Sequence, residues 1–291
     1  MDNQTMLQEI KKNKKYASMN DALIQKEIVQ YFRTHQKMQN RILKKKELKI
    51  IVKEIRKNLH RVYASYQTKK KKKKEEYLKE LQTAINENNK QEIIAITKKL
   101  LSIAISTKER LNDYETIYKK VFEITSKPKT IIDLGAGFNP LSFPFMNLSS
   151  VNYYAYDIDE QDREFIQKYF TIMKRQGLQG KAEILDAHNL QDKKILQNAP
   201  NADIILAFKI IDLLDTKNKN ISEHIITNLF KEKKTKHIVA SFATKTLSQK
   251  SMKLPRRIGF EKMLQRKNLQ FQSFSTNNEI FYVISPSNKK L

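Results

Sequence analysis

The segment Thr130-Ile-Ile-Asp-Leu-Gly-Ala-Gly-Phe-Asn-Pro-Leu-Ser-Phe-Pro-Phe145 limits the fold more than any other stretch of this 291-residue chain. It begins as an apolar run of buried-strand length and turns at two glycines. It then resumes with Asn139 placed to cap a helix that Pro140 begins. A strand, a tight turn and a helix in that order belong to an α/β sheet, whose ligands sit beyond the carboxyl ends of the strands. Glycine at 135 and 137 lets the backbone approach such a ligand. A dinucleotide site would need a third small residue where this chain has Pro140, and no Gly-Lys-Ser/Thr follows to make a phosphate-binding loop.

Gly135-x-Gly137-x-x-Pro140 is closer to the S-adenosylmethionine loop of Rossmann-like methyltransferases, whose ligand has no phosphate to cradle. The pattern that follows agrees with this. Strands are expected near 130 to 134, 152 to 157, 181 to 185, 203 to 208, 236 to 242, 270 to 275 and 279 to 285, with helices between the first five. The last two read as a hairpin giving a parallel sheet an antiparallel edge. The fold class is α/β, a seven-stranded, mostly parallel methyltransferase sheet.

An S-adenosylmethionine pocket needs acceptors for the ribose and for adenine. Asp157, in Tyr156-Asp-Ile-Asp159, ends the second strand, where a carboxylate can accept both ribose hydroxyl protons; capping the next helix is the other reading, and Asp159 would serve that equally well. Asp186, in Ile184-Leu-Asp-Ala187, ends the third strand and can accept from the adenine amino group. Gly135, Ala136, Gly137, Asn139, Ile158, Ala187 and Phe208 complete the set of candidate contacts. The fourth strand runs into Phe208-Lys-Ile-Ile-Asp-Leu-Leu-Asp215, without the Asp/Asn-Pro-Pro-aromatic turn that methylation of an exocyclic amine usually needs. A ring nitrogen or a ribose hydroxyl remains as acceptor.

Charge supplies the partner class. With 56 Lys plus Arg against 31 Asp plus Glu the net charge is +25, which favours a polyanion, nucleic acid first. Residues 1 to 100 hold 26 basic and 11 acidic side chains, net +15, and neither glycine nor proline. Their apolar residues recur at helical spacing, at Leu23, Ile24, Ile28, Tyr31 and Phe32 and again at Leu48, Ile51, Ile55, Leu59 and Val62, so a basic all-helical domain is expected. Lys69 to Lys74 reads as a solvated run that can also track phosphates. No run approaches the ~20 apolar residues of a membrane span, and the first fifteen residues lack the core of a signal peptide; a cytoplasmic protein without a membrane partner is expected. The chain has no cysteine, and its five histidines lack metal-ligand spacing, so no metal is expected.

Several segments together resemble one family, the aminoglycoside-resistance 16S ribosomal RNA methyltransferases that modify N7 of a guanine in the decoding site. They are Lys14-Lys-Tyr16, Ser106-Thr-Lys-Glu-Arg-Leu111, Gly135-Ala-Gly-Phe-Asn-Pro-Leu-Ser142, Phe208 to Asp215, Ser241-Phe-Ala-Thr-Lys-Thr-Leu247 and Asn278-Glu-Ile-Phe-Tyr-Val283. The resemblance implies that Arg110 pairs with the methionine carboxylate, as suits a guanidinium fork. It also implies that Lys209 and Lys245 lie at the target nucleotide as catalytic-site residues. Residues 1 to 104 would dock rRNA and residues 105 to 291 would form the methyltransferase domain. Lys14, Lys15, Arg33, Lys44, Lys45, Lys46, Lys245, Arg256 and Arg257 are the candidate RNA contacts. The chain departs from the family where Asp212 replaces a proline, and where Ile258-Gly-Phe-Glu261, preceded by Arg256 and Arg257, stands for Gly-Met-Glu-x-x-Tyr.

The resemblance implies a monomer acting on 16S rRNA in the 30S subunit, with S-adenosylhomocysteine as by-product. The flipped guanine would stack on Phe208 or Phe242. Two other readings remain open: a ribose 2'-O or other-site RNA methyltransferase, and a basic ribosome-binding or assembly factor without catalysis.

Overall fold

The computed structural model describes residues 3–17, 19, 21–35, 44–59, 73–191, 200–215, 220–232, 234–245 and 256–287. Its seven strands are β1 (Thr130–Leu134), β2 (Val151–Asp157), β3 (Leu178–Ile184), β4 (Ala202–Phe208), β5 (Thr235–Ala243), β6 (Leu269–Ser275) and β7 (Glu279–Pro286). They form one sheet in the order β3-β2-β1-β4-β5-β7-β6. The first five strands pair in parallel, and β7 runs antiparallel between β5 and β6. The chain winds outward from β1 through β2 to β3 and then returns to place β4 on the other side of β1. That reversal opens a crevice at the carboxyl ends of β1 and β4.

Alternate residues of the central strands feed two apolar layers, as the two-residue period of a strand requires. Ile131 of β1 enters one layer, with Phe165, Tyr169 and Phe170 of α8 (Glu160–Met173). Ile132 and Leu134 enter the other, with Ile225 and Leu229 of α10 (Ile221–Lys231) and Leu264 of α11 (Ile258–Arg266). A short α9 (Ile211–Asp215) follows β4. β3 begins three residues before its expected start, and Gly180 explains why the alternation is hidden there. A Cβ at this position would lie 2.2 Å from the ring of Phe170, so the close seat of α8 excludes a side chain.

The expected helix after the glycine turn is instead a 3-10 segment, Asn139–Phe145. Pro140 and Pro144 supply no backbone N–H, which removes donors that an α-helical ladder would use. Asn139 is not a cap: its side chain turns inward, and its Nδ2 donates to Asp133 Oδ2 at 2.9 Å.

The N-terminal helices pack as two groups. α1 (Asn3–Lys11), α2 (Asp21–Thr34) and α3 (Lys45–Leu59) enclose Met6, Ile10, Ile24, Ile28, Ile51, Ile55 and Leu59. Ile24, Ile28 and Tyr31 repeat at the spacing of one helical face, and each such side chain fully buried stabilises by about 1.5–3 kcal/mol. Arg56 ties α3 to α1 by donating to the carbonyls of Glu9 and Ile10. By contrast α4 (Lys74–Asn86) and α5 (Lys90–Leu101) share the sheet-face layer with α7 (Tyr114–Thr125). Of the lysine run, residues 69–72 lie outside the described residues. Lys74 begins α4 with its Nζ 5.0 Å from the Phe165 ring centre, so this lysine is packed rather than solvated. Among the described residues no helix is long and apolar enough to cross a membrane.

Candidate functional site

Every residue that the sequence assigns to the donor pocket, from Arg110 to Phe208, lines one cleft at the crevice between β1 and β4, and Lys209 lines it too. The glycine turn shapes its floor. Gly135 (φ 65°) and Gly137 (φ 48°) both occupy the left-handed region that other residues avoid. A Cβ on Gly135 would also fall 2.6 Å from Ile210 Cδ1.

Asp157 is tied to that turn. Its Oδ2 accepts the Gly137 N–H at 2.7 Å, and its Oδ1 accepts the N–H groups of Ile158 (2.7 Å) and Asp159 (3.1 Å). Burial raises the Asp157 pKa, and these three donors restrain the rise. The capping role belongs to Asp159, whose Oδ1 accepts the Asp162 N–H at 3.0 Å as the first residue outside α8. Asp157 is thereby left to the cleft. Asp186 stands beyond β3 and accepts from Lys26 Nζ of α2 at 2.7 Å.

The opposite end of the cleft is a buried ionic cluster. Arg110 follows α6 (Ile105–Glu109), its Nε donates to Glu279 Oε1 at 2.7 Å, and its guanidinium lies 4.9 Å from the Phe208 ring centre. Burial works against its charge, but Glu279 and Tyr114 outweigh that and hold its pKa above the ordinary arginine value. Glu279, fully buried, also accepts from Ser241 Oγ at 2.8 Å and forms an ion pair with Lys209 Nζ at 3.1 Å. Lys209 Nζ reaches Glu109 Oε2 at 2.5 Å as well. Lys209 itself has a left-handed backbone (φ 56°), anchored by its N–H donating to Ser241. Such strain in a non-glycine residue persists only where the surroundings over-determine it.

Glu279, Glu109 and Asp133 are site residues that the sequence reading did not single out. The two glutamates sit inside the quoted segments, but their partners are 100 or more positions away and no spacing exposes them. Asp133 had a signal, a carboxylate inside an otherwise apolar strand. It accepts from Tyr153 OH (2.6 Å) and Asn139 Nδ2 (2.9 Å), and burial raises its pKa to about 6.

The candidate RNA contacts fall elsewhere. Lys14, Lys15, Arg33, Lys44 and Lys46 are exposed on the first three helices or the turns that join them, while the side chain of Lys45 lies outside the described residues. Lys245, half-buried just past β5, does not line the cleft. Arg256 pairs with Glu261, which also accepts from Tyr282 OH. Arg257 reaches Asp212 at 3.0 Å, so two of the departures from the family pattern pair with each other. Phe242 is a correction. It does not line the cleft: its ring is buried against Phe260 and Tyr282, with Arg257 over it, so it offers no face to an incoming base.

One further atom tests what the cleft fits. Arg110 Nη2 is buried with no hydrogen-bond partner among the described residues, a costly state that a bound carboxylate would relieve. With the Asp157 and Asp186 carboxylates at the other end, the residues present fit S-adenosylmethionine: a guanidinium can take its carboxylate, and the two acids can accept from ribose hydroxyls and from the adenine amine. Among the described residues no cluster suits a metal ion.

Sheet order, glycine turn and this donor set define a Rossmann-like S-adenosylmethionine-dependent methyltransferase. The chain belongs to the ribosomal RNA methyltransferase (FmrO) family, whose model matches residues 34–283. It is 27% identical over 236 residues to a 16S rRNA (guanine(1405)-N(7))-methyltransferase of Micromonospora echinospora, covering 80% of this chain and 81% of that protein. It is 28% identical over 250 residues to one of Proteus mirabilis, with 81% and 84% covered. In fold it is similar to the 16S rRNA methyltransferase RmtF in complex with S-adenosyl-L-homocysteine, with a TM-score of 0.72, 18% identity and 99% and 100% of the two chains covered. The 16S rRNA methylase RmtB aligns with a TM-score of 0.67, 19% identity and 99% of each chain.

Proposed function

We propose that this protein transfers the methyl group of S-adenosylmethionine to N7 of a guanine in the 16S rRNA decoding site, acting as a monomer on the assembled small subunit in the cytoplasm. The observation that carries the donor half is the unmatched Arg110 Nη2 at the end of a cleft whose other end holds Asp157 and Asp186. The acceptor half draws on the relatives, which are guanine-N7 methyltransferases by name. When bound, the sulfonium supplies an electrophilic methyl group.

Guanine N7 has an available lone pair, so no residue need act as a base, and the chain's task is alignment and exclusion of water. Asp157 holds the ribose and Asp186 the adenine amine. Arg110 holds the carboxylate from a guanidinium fixed by Glu279 and the Phe208 ring. Lys209 closes the β4 side with its ammonium between Glu109 and Glu279. To serve as base for a ribose hydroxyl it would have to leave both carboxylates, which supports N7 over the ribose reading. In this reading Lys245, Arg256 and Arg257 meet the rRNA outside the donor cleft, and the exposed lysines of the first helices dock its surface by charge and shape.

Transfer of labelled methyl from S-adenosylmethionine to 30S subunits and to free 16S rRNA tests this reading. Incorporation into 30S subunits, abolished by Asp157→Ala, is the expected outcome. Absence of transfer to either substrate, with S-adenosylmethionine unbound in calorimetry, would favour a non-catalytic ribosome-binding factor.

A further inference from the structure

The first helical group touches the cleft at its adenosine end through three separate contacts. Lys26 of α2 donates to Asp186 Oδ2 at 2.7 Å, from a side chain 40% exposed to one only 14% exposed. Met19, in the turn before α2, forms an isolated antiparallel bridge with Asp159 and lines the cleft. Ile158, between Asp157 at the end of β2 and Asp159, packs against the α1 to α3 cluster. All three join the donor pocket to an element more than a hundred residues away in sequence, whose own core is separate from those of the sheet.

We propose that Lys26 is a positioning residue for the methyl donor: it holds the Asp186 carboxylate in the orientation that accepts from the adenine amine. The inference rests on the adenine role of Asp186 given above. A carboxylate beyond a strand end turns freely about its χ angles, and an ordered partner removes that freedom before the ligand arrives, which lowers the cost of binding. An ionised carboxylate has about four lone-pair sites, so accepting from Lys26 leaves capacity for an amine. Lysine suits the task because its stem can lie along the helix surface while the ammonium reaches across to the pocket. Donor selectivity and the seating of the helices that carry the exposed lysines then share one ion pair.

The test is calorimetry of the full chain with two ligands, S-adenosylhomocysteine and S-inosylhomocysteine, which carries a carbonyl in place of the adenine amine. Lys26→Met should weaken the adenosyl ligand about two- to fivefold, the range of a partly exposed ion pair, and leave the inosyl ligand unchanged. Lys26→Arg should restore the preference, and Lys26→Met should add no further loss to Asp186→Ala, which removes the acceptor. A purely structural role would weaken both ligands alike, and that result would overturn the proposal. So would an unchanged preference in Lys26→Met when Asp186→Ala loses it, in which case the adenine role of Asp186 stands. If Asp186→Ala keeps the full preference, that adenine role fails, and the proposal with it.

Discussion

At position 279 a fully buried carboxylate accepts from Arg110 and Ser241 and pairs with the Lys209 ammonium, and so couples the donor end of the cleft to the strand that ends beside it. Removing it leaves the buried Arg110 guanidinium without its carboxylate, while Lys209 keeps Glu109. Glu279→Ala is therefore expected to lower the unfolding free energy by about 3–5 kcal/mol, measurable as a reduced urea midpoint at unchanged slope. Asp133 predicts a pH effect of definite sign. Its folded pKa, about 6, lies above the ordinary 3.8, so the folded state binds more protons between those values. Its contribution to stability is present below about pH 4 and is lost as pH rises through 6. Asp133→Asn should consequently gain on the wild type between pH 4.5 and 7 in paired urea titrations. A constant difference across that range would contradict the assignment. The positions of Asp157 and Asp186 at or just beyond strand ends were legible in the chain, although the strand before Asp186 is of mixed polarity. Glu279 and Lys26 were not, because their importance lies wholly in partners that only the folded chain supplies.

Elements were readable wherever local pattern and tertiary packing asked for the same thing. β1, β4 and β7 are short apolar runs bounded by turn residues, and the expected and observed limits agree to within a residue. The pattern failed at the connection after β1. There Asn139 followed by proline looks like a helix start, but the buried Asp133 needed a donor and took the Asn139 side chain. The real cap lies one connection later, at Asp159. Asp159→Ala should cost about 1 kcal/mol of stability by loss of the bond to the first turn of α8, read from urea unfolding. The pairing of Arg257 with Asp212 is likewise an element-scale event, since it ties the start of α11 to α9.

Across the whole molecule the charge is uneven, and the exposed lysines of the first helices lie on a group that also borders the donor cleft. If those lysines meet phosphates, replacing Lys44 and Lys46 with alanine should weaken 30S binding. It should also make the log–log dependence on salt shallower by about 0.7–0.9 for each phosphate that is no longer neutralised. An unchanged slope would place the docking surface elsewhere. The central claim is that one guanine of the decoding site receives a methyl group on N7. Its most direct measurement is mass spectrometry of nuclease-digested 16S rRNA from treated 30S subunits, with fragmentation separating base from ribose. One added methyl on a decoding-site guanine base, at N7, is the predicted result; a methyl on the ribose, or on no decoding-site guanine, would contradict it.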